Sequence, residues 1–362
     1  MPHATAFPPF PADIPTHPLL VVDYELLKAH DEAEIDKLWK AATELGFWYL
    51  KNHGADAAVN AMFDTGAATF ALPLADKMAF EQGDSGFSFG YKASGATLTD
   101  ASGARDTTEF FNVAADDALA WPAVARRTYP APVNARMGDA VGPFIRRAIE
   151  VNGTMLGILN ERLGLPRGTL ASRHRRDEWS GSEARVTRGP PRELSEGIDE
   201  AKAVLAAHTD FGSLSFLHNR LGGLQVMVPG TRTWQYVKPI PGHAICNVGD
   251  ALTIFSGGLL RSNLHRVVPP PGEQARYERY SLVYFTRPGD SVQMAPLADQ
   301  SAIIADAVAR APPHLREIFD LAPTSHEWFT RRMKNMRVNN QKGTDGGVWN
   351  ASRGTEHEPH LA

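Results

Sequence analysis

Residues 208–219 read HTDFGSLSFLHN, so His208 and Asp210 stand two residues apart at the entrance to an apolar run. In a strand, side chains two apart share a face. An imidazole and a carboxylate on one face can be a satisfied polar pair, half of a catalytic dyad, or two ligands of one metal ion. The tripeptide does not choose among these, and the bland polar pair is the default.

The surroundings supply the frame. From Ala184 to Pro288 short strand-like runs ("SLSFLHN", "GLQVMV", "TWQYVKPI", "AICNV", "LTIFSG", "NLHRVV", "YSLVYFTRP") are separated by Gly, Pro and Asn turns. That spacing predicts an antiparallel sandwich or barrel. Upstream, "PLLVVDYELL" and "FWYLKNHG" read as strands. "DEAEIDKLWKAATELG" is an amphipathic helix with Gly46 as its stop, and a second helix is expected over Ala57–Phe70. A long helical pattern runs from about Val133 to Leu163, with Pro143 expected to kink or interrupt it. Thr324 and Glu327 form a capping box ahead of "SHEWFTRRMKNMR", whose Arg331, Arg332, Lys334 and Arg337 read as a wet helix face.

Composition narrows the class. The chain has 362 residues, 43% of them hydrophobic and 22% charged, as in ordinary soluble globular proteins. A net charge of -4 offers nothing to nucleic acid or an anionic membrane surface. The lone Cys246 excludes an intramolecular disulfide and a thiolate metal cage, and its strand context reads as a buried, inert thiol. The proline-rich start has no signal-peptide pattern and no run reaches transmembrane length, so a cytoplasmic, monomeric protein is expected.

A second histidine, His265 in "SNLHRVV", completes a constellation. His208 and Asp210 supply two adjacent ligands, and His265 can fold alongside from a distant strand of a jelly roll. Two imidazoles and a carboxylate on one face of an octahedral ion form the facial triad of non-haem Fe(II) oxygenases. A tetrahedral zinc site with the same ligands and a water is the chemical rival. In "RYERYSLVYF", Arg279 and Ser281 lie two apart on one strand face. Buried arginine is costly unless an anion meets it, and a guanidinium with a neighbouring hydroxyl suits a carboxylate. Fe(II), one Asp and a dicarboxylic 2-oxo acid sum to minus one, and Arg279 restores neutrality. The bland alternative for Arg279 is a surface ion pair with Glu278 or Glu273. His218, His243 and Asp250 read as ordinary strand or turn residues. Phe87, Phe89, Tyr91, Phe110 and Phe111 in a Gly- and Ser-rich region line a substrate pocket or pack a core.

Together, His-x-Asp, "GGLQV", "NVGD", "SNLHRV" and "RYSLVYF", with "PLLVVDY", "LGFWYLKNHG" and "RDTTEFFNV" upstream, resemble the isopenicillin N synthase-like family of Fe(II)/2-oxoglutarate-dependent dioxygenases over residues 18–290. The resemblance implies a mixed α/β (α+β) protein with a double-stranded β-helix (jelly-roll, cupin-like) core and flanking helices. It implies Fe(II) on His208, Asp210 and His265, 2-oxoglutarate as co-substrate on Arg279 and Ser281, and O2 as oxidant. The product side would be succinate, CO2 and a hydroxylated, desaturated or cyclised small, partly apolar substrate of specialised metabolism. Phe87, Phe89, Tyr91, Phe110, Arg188, Phe329 and Met333 are the candidate substrate residues. The expected division is a flexible N-terminal segment over 1–17, a helix/strand region over 18–130 packed on the core, a long scaffold helix over 131–180, the core over 181–290, C-terminal helices over 291–341 and a loose tail over 342–362. One departure stands out. Where the family often carries Asn-Tyr-Tyr-Pro, this chain has Thr187, Arg188, Gly189 and Pro190, so the supporting tyrosine hydroxyl is absent. Arg279 and Ser281 suffice without it, or Arg185 or Arg188 substitutes, or the co-substrate differs. An oxidase needing no 2-oxo acid, a zinc hydrolase and a non-catalytic jelly-roll binding protein are the alternatives.

Overall fold

The computed structural model describes residues 7–99, 103–192 and 203–341. The expected tail over 342–362 lies outside these residues. The strands are β1 (Val21–Asp23), β2 (Phe47–Lys51), β3 (Gly90–Lys92), β4 (Glu109–Ala114), β5 (Glu183–Gly189), β6 (Leu205–His208), β7 (Leu214–Asn219), β8 (Leu224–Met227), β9 (Trp234–Tyr236), β10 (His243–Val248), β11 (His265–Val267) and β12 (Arg279–Thr286). They form an eight-stranded sheet in the order β1-β2-β10-β7-β12-β5-β4-β3 and a four-stranded sheet in the order β6-β11-β8-β9. This is the jelly-roll core. β1 to β4 belong to the same large sheet as the downstream strands, so the region over 18–130 is woven into the core as well as packed on it.

Strand alternation sorts the large sheet into two faces. One face carries Trp48, Leu50, Phe111, Val186, Phe216, Cys246, Leu282 and Tyr284, which join the main hydrophobic core with the helix Gly142–Arg162. Phe144 of that helix stacks on Phe216 at 6.3 Å. The other face looks toward the small sheet, and Phe47, Tyr49 and Ile245 pack there against Leu224 and Val226.

Three local expectations change. The pattern from Val133 is a short helix Ala131–Ala135, a π-turn over Met137–Val141 and then the helix Gly142–Arg162, so Pro143 opens that helix in its first turn, where its missing N–H costs nothing. "LTIFSG" is not a strand. Asp250–Phe255 is a helix with every residue buried, since a short apolar run has no period that separates strand from buried helix. The C-terminal helix Ser325–Met336 has its capping box, but Arg332 and Arg337 are buried while Arg331 and Lys334 stay exposed. Among the described residues, no helix is long and apolar enough to cross a membrane. The expectation of a flexible segment over 1–17 does not hold for residues 7–17, which lie against the core, where Thr16 bridges Tyr236 and Gln274 Nε2 donates to Pro8 O at 2.8 Å.

Candidate metal and anion site

β6 and β11 are antiparallel neighbours in register at His208 and His265, whose rings lie 4.3 Å apart. Beyond the end of β6, Asp210 brings its Oδ1 to 3.9 Å from His208 Nε2 and 3.8 Å from His265 Nε2. One ligand atom from each residue lies within 4.8 Å of the others. Each remaining polar atom is tied. His208 Nδ1 faces Ala206 O at 2.7 Å and His265 Nδ1 faces Asn263 O at 3.1 Å, so both Nδ1 atoms carry the proton and both Nε2 lone pairs face the gap. Asp210 Oδ2 accepts from Ser215 Oγ at 2.5 Å and Asn247 Nδ2 at 2.8 Å, which leaves Oδ1 for an ion. Ser215 and Asn247 are opposite each other on β7 and β10, so the large sheet orients a ligand set that the small sheet begins.

Charge follows the same logic. Burial, and then the neighbouring His265, pushes the His208 imidazole down to about 3, which keeps it neutral and able to ligate. Burial works against ionisation of Asp210, but the His265 and His208 rings and the Ser215 and Asn247 hydrogen bonds hold its carboxyl below the ordinary value. A compact set of two imidazoles and one carboxylate fits a divalent cation.

Thr209, between the ligands, turns away. Its hydroxyl donates to Asp250 Oδ2 at 3.0 Å, and Arg332 Nη1 from the C-terminal helix donates to the same oxygen at 2.8 Å. Asp250, read from sequence as a turn residue, is fully buried in this ion pair. The C-terminal helix is thereby anchored to the ligand-bearing segment.

Arg279 and Ser281 face the inter-sheet space from β12. Arg279 is buried, and Nε donates to Gly222 O at 2.7 Å. No carboxylate among the described residues pairs with it, so the surface ion pair with Glu278 or Glu273 is not formed. Burial pushes its guanidinium down to about 10. Arg279 and Ser281 line a cavity of about 60 Å³ with Thr108, Thr187, Gly189 and Val267, between the strand of His265 and the large sheet. At Gly189, a Cβ would touch Arg279 and Thr108 at 3.9 Å, an ordinary contact, so a side chain at the position of the absent tyrosine would lie directly against Arg279. A larger cavity of about 590 Å³, lined by Phe10, Phe63, His218, Lys238 and His243 among others, contains no triad residue.

The other candidates separate. Phe110 lies on the inner face opposite Thr187, and Phe329 packs near Phe211 and Arg287. Met333 is buried, Phe89 is buried beside Arg126, and Phe87 is 58% exposed. Tyr91 belongs to the main core on the outer face, where its hydroxyl donates to Glu109 at 2.5 Å. Arg188 also points outward, into ion pairs with Glu109 and Glu278. One residue step along β5 moves a side chain to the other face, and this removes Arg188 from the site and puts Arg185 in it. Sequence reading missed Ser215, Asn247 and Glu183. The two serines interrupting the apolar run 213–217 were the available signal for Ser215.

Comparison with known proteins agrees with this geometry. The family described as non-haem dioxygenase in morphine synthesis N-terminal matches residues 19–132, and the 2OG-Fe(II) oxygenase superfamily matches residues 190–288. A 2-oxoglutarate-dependent dioxygenase of Aspergillus fumigatus is 29% identical over 358 residues, spanning 90% of this chain and 88% of the relative. One from Dothideomycetidae sp. is 31% identical over 275 residues, spanning 74% and 81%. The crystal structure of a full-length Neurospora crassa protein in complex with alpha-KG superposes with a TM-score of 0.70 at 21% identity, covering 87% of this chain and 95% of that one. The chain belongs to the 2OG-Fe(II) oxygenase superfamily and is a non-haem Fe(II)- and 2-oxoglutarate-dependent dioxygenase.

Proposed function

We propose that this dioxygenase holds Fe(II) on His208, Asp210 and His265 and the distal carboxylate of 2-oxoglutarate on Arg279 and Ser281, and that it oxidises a small, partly apolar organic molecule of specialised metabolism. The observation that carries the reading is the set of three free donor atoms within 4.8 Å, each with its other polar atom already satisfied. Iron bound there would supply, with O2 as the oxidant, the oxidative decarboxylation of 2-oxoglutarate to succinate and CO2 coupled to oxidation of a substrate C–H bond. The protein's own work is positioning and exclusion of water. Ser215 and Asn247 fix the Asp210 carboxylate, the Nδ1 bonds fix both rings, and Arg279 offers a charged fork at the far end of the inter-sheet space. Phe110 and Phe329 border the substrate, and residues 181–290 form the oxygenase core, completed by the upstream strands. The zinc-hydrolase alternative leaves the unpaired Arg279 without a role.

Anaerobic titration tests the assignment. About one Fe(II) per chain should bind, as one facial triad requires, and 2-oxoglutarate should then produce a weak visible charge-transfer band. His265→Ala should bind neither iron nor show the band. A His265→Ala protein that develops the band like the parent sinks the triad.

A further inference from the structure

We propose that the substrate carries a carboxylate, and that Arg185 on the inner wall beside the triad receives it; this rests on the oxygenase reading above. Arg185 lies on β5 opposite Val283 of β12, on the same face as Arg279 and Ser281. Its guanidinium sits by the faces of Phe110 at 4.2 Å and Phe285 at 5.0 Å. Nε donates to Asn112 Oδ1 at 2.8 Å and Nη2 to Glu183 Oε1 at 3.1 Å. Nη1 donates to none of the described residues. With Nε and Nη2 engaged and the Phe110 and Phe285 rings alongside, Nη1 is the part of the planar fork left to take a carboxylate. Phe285, the ring beside Arg185, stands opposite Ser215 of β7, whose hydroxyl holds Asp210, so Arg185 is one strand away from the triad.

Charge makes the case specific. Glu183 is fully buried, and its Oε1 takes Arg185 Nη2, Arg287 Nη2 at 3.2 Å and the Ser88 hydroxyl at 2.9 Å. Two guanidiniums therefore share one carboxylate, and one positive charge remains on the inner wall. Arg287 is itself enclosed by Phe211, Phe285 and Phe329 at 5.3, 4.9 and 4.8 Å, so Arg185 is the member with an edge to offer. Lys92, paired opposite Phe110, is cancelled by Asp106. At the other end, Fe(II), Asp210, 2-oxoglutarate and Arg279 sum to zero. The loaded site is thus one negative charge short, and the shortfall lies on the substrate side. A monoanion completes it, whereas a neutral substrate leaves a half-buried cation uncompensated.

The test uses the full-length chain with Fe(II) and 2-oxoglutarate under anaerobic conditions. It is equilibrated with a library of aryl and alkyl carboxylic acids, each paired with its own primary amide, and the retained compounds are identified by mass. The charge-transfer band is recorded in the same samples. Acids should be enriched roughly ten- to a hundredfold over their amides, as a charge-assisted contact implies. Arg185→Gln should lose that preference while keeping the band, and Arg185→Lys should keep part of it. A band in the parent with acids and amides retained alike, or neither retained, overturns the inference alone. Loss of the band together with the preference in Arg185→Gln moves Arg185 to the co-substrate and also overturns it. A parent with no band overturns the oxygenase site and this inference together.

Discussion

Along β12, Arg279, Ser281, Val283 and Phe285 face the small sheet, while Leu282 and Tyr284 between them face the long helix. The inward residues are 6–8% exposed and the outward ones at most 2%, so burial hardly distinguishes the two sets. Chemistry does. At Leu282 and Tyr284 the outward face packs into the hydrophobic core, and its polar groups farther along, such as Thr286 with Asn152, have partners, so each side chain is held by its neighbours. The inward face contains a guanidinium without a carboxylate and a hydroxyl without a partner among the described residues. Such groups are a burden to folding unless something arrives to meet them. The strand thus uses one parity for stability and the other for binding, and substitutions should separate the two.

The largest effect is expected outside. Phe216 packs against Phe144 on the helix side, edge-on to His53 and His218. Phe216→Ala should lower unfolding free energy by about 3–5 kcal/mol, the range for an aromatic lost from a tight core. Chemical denaturation measures this, and 2-oxoglutarate affinity of the folded fraction should stay within about twofold of the parent, below 0.5 kcal/mol. An affinity that falls in step with stability would mean the faces are not independent.

An inward substitution should do the reverse. Arg279→Lys keeps the charge but loses the planar fork, so the dissociation constant for 2-oxoglutarate should rise roughly ten- to a hundredfold. Arg279→Met should abolish measurable co-substrate binding yet melt no lower than the parent when 2-oxoglutarate is absent, because it removes a desolvated cation that no carboxylate offsets. A clear drop in melting temperature for Arg279→Met would show that the guanidinium serves the fold.

How much of this was legible in the sequence depends on whether a feature is local. The parity of "RYS" on β12 and the Thr324–Glu327 capping box are set by neighbours two or three residues apart, and each appears as read, whereas His208 and Asp210 come together with Asp210 past the end of β6 and not on the strand. Features made by distant partners were not legible. Asp250 looks like a turn residue until Arg332, 82 positions away, lies beside it in a buried ion pair. Arg188 and Arg185 are equally basic in "RVTRGPP". Only the register of β5 against β12 assigns one to the surface and the other to the interior. The helix Asp250–Phe255 was lost for a different reason, since its six residues are buried all round and no amphipathic period marks them.

The smallest effect, and the finest cut through the comparison, is at Ser281. Its neighbour Leu282 is buried in the main core, so truncating Leu282 would be felt in stability, but Ser281 meets the cavity and makes no hydrogen bond to the described residues. Ser281→Ala should leave the melting temperature in place, since no existing bond is broken. It should weaken 2-oxoglutarate by roughly two- to tenfold, the equivalent of one neutral hydrogen bond at about 0.5–1.5 kcal/mol. In Arg279→Lys the Ser281→Ala change should cost less than it does alone, because two groups gripping one carboxylate are coupled. Calorimetric titration of the two single variants and the double variant measures that coupling. Strictly additive losses would place Ser281 outside the co-substrate site and leave Thr187, its cross-strand partner, as the hydroxyl to test.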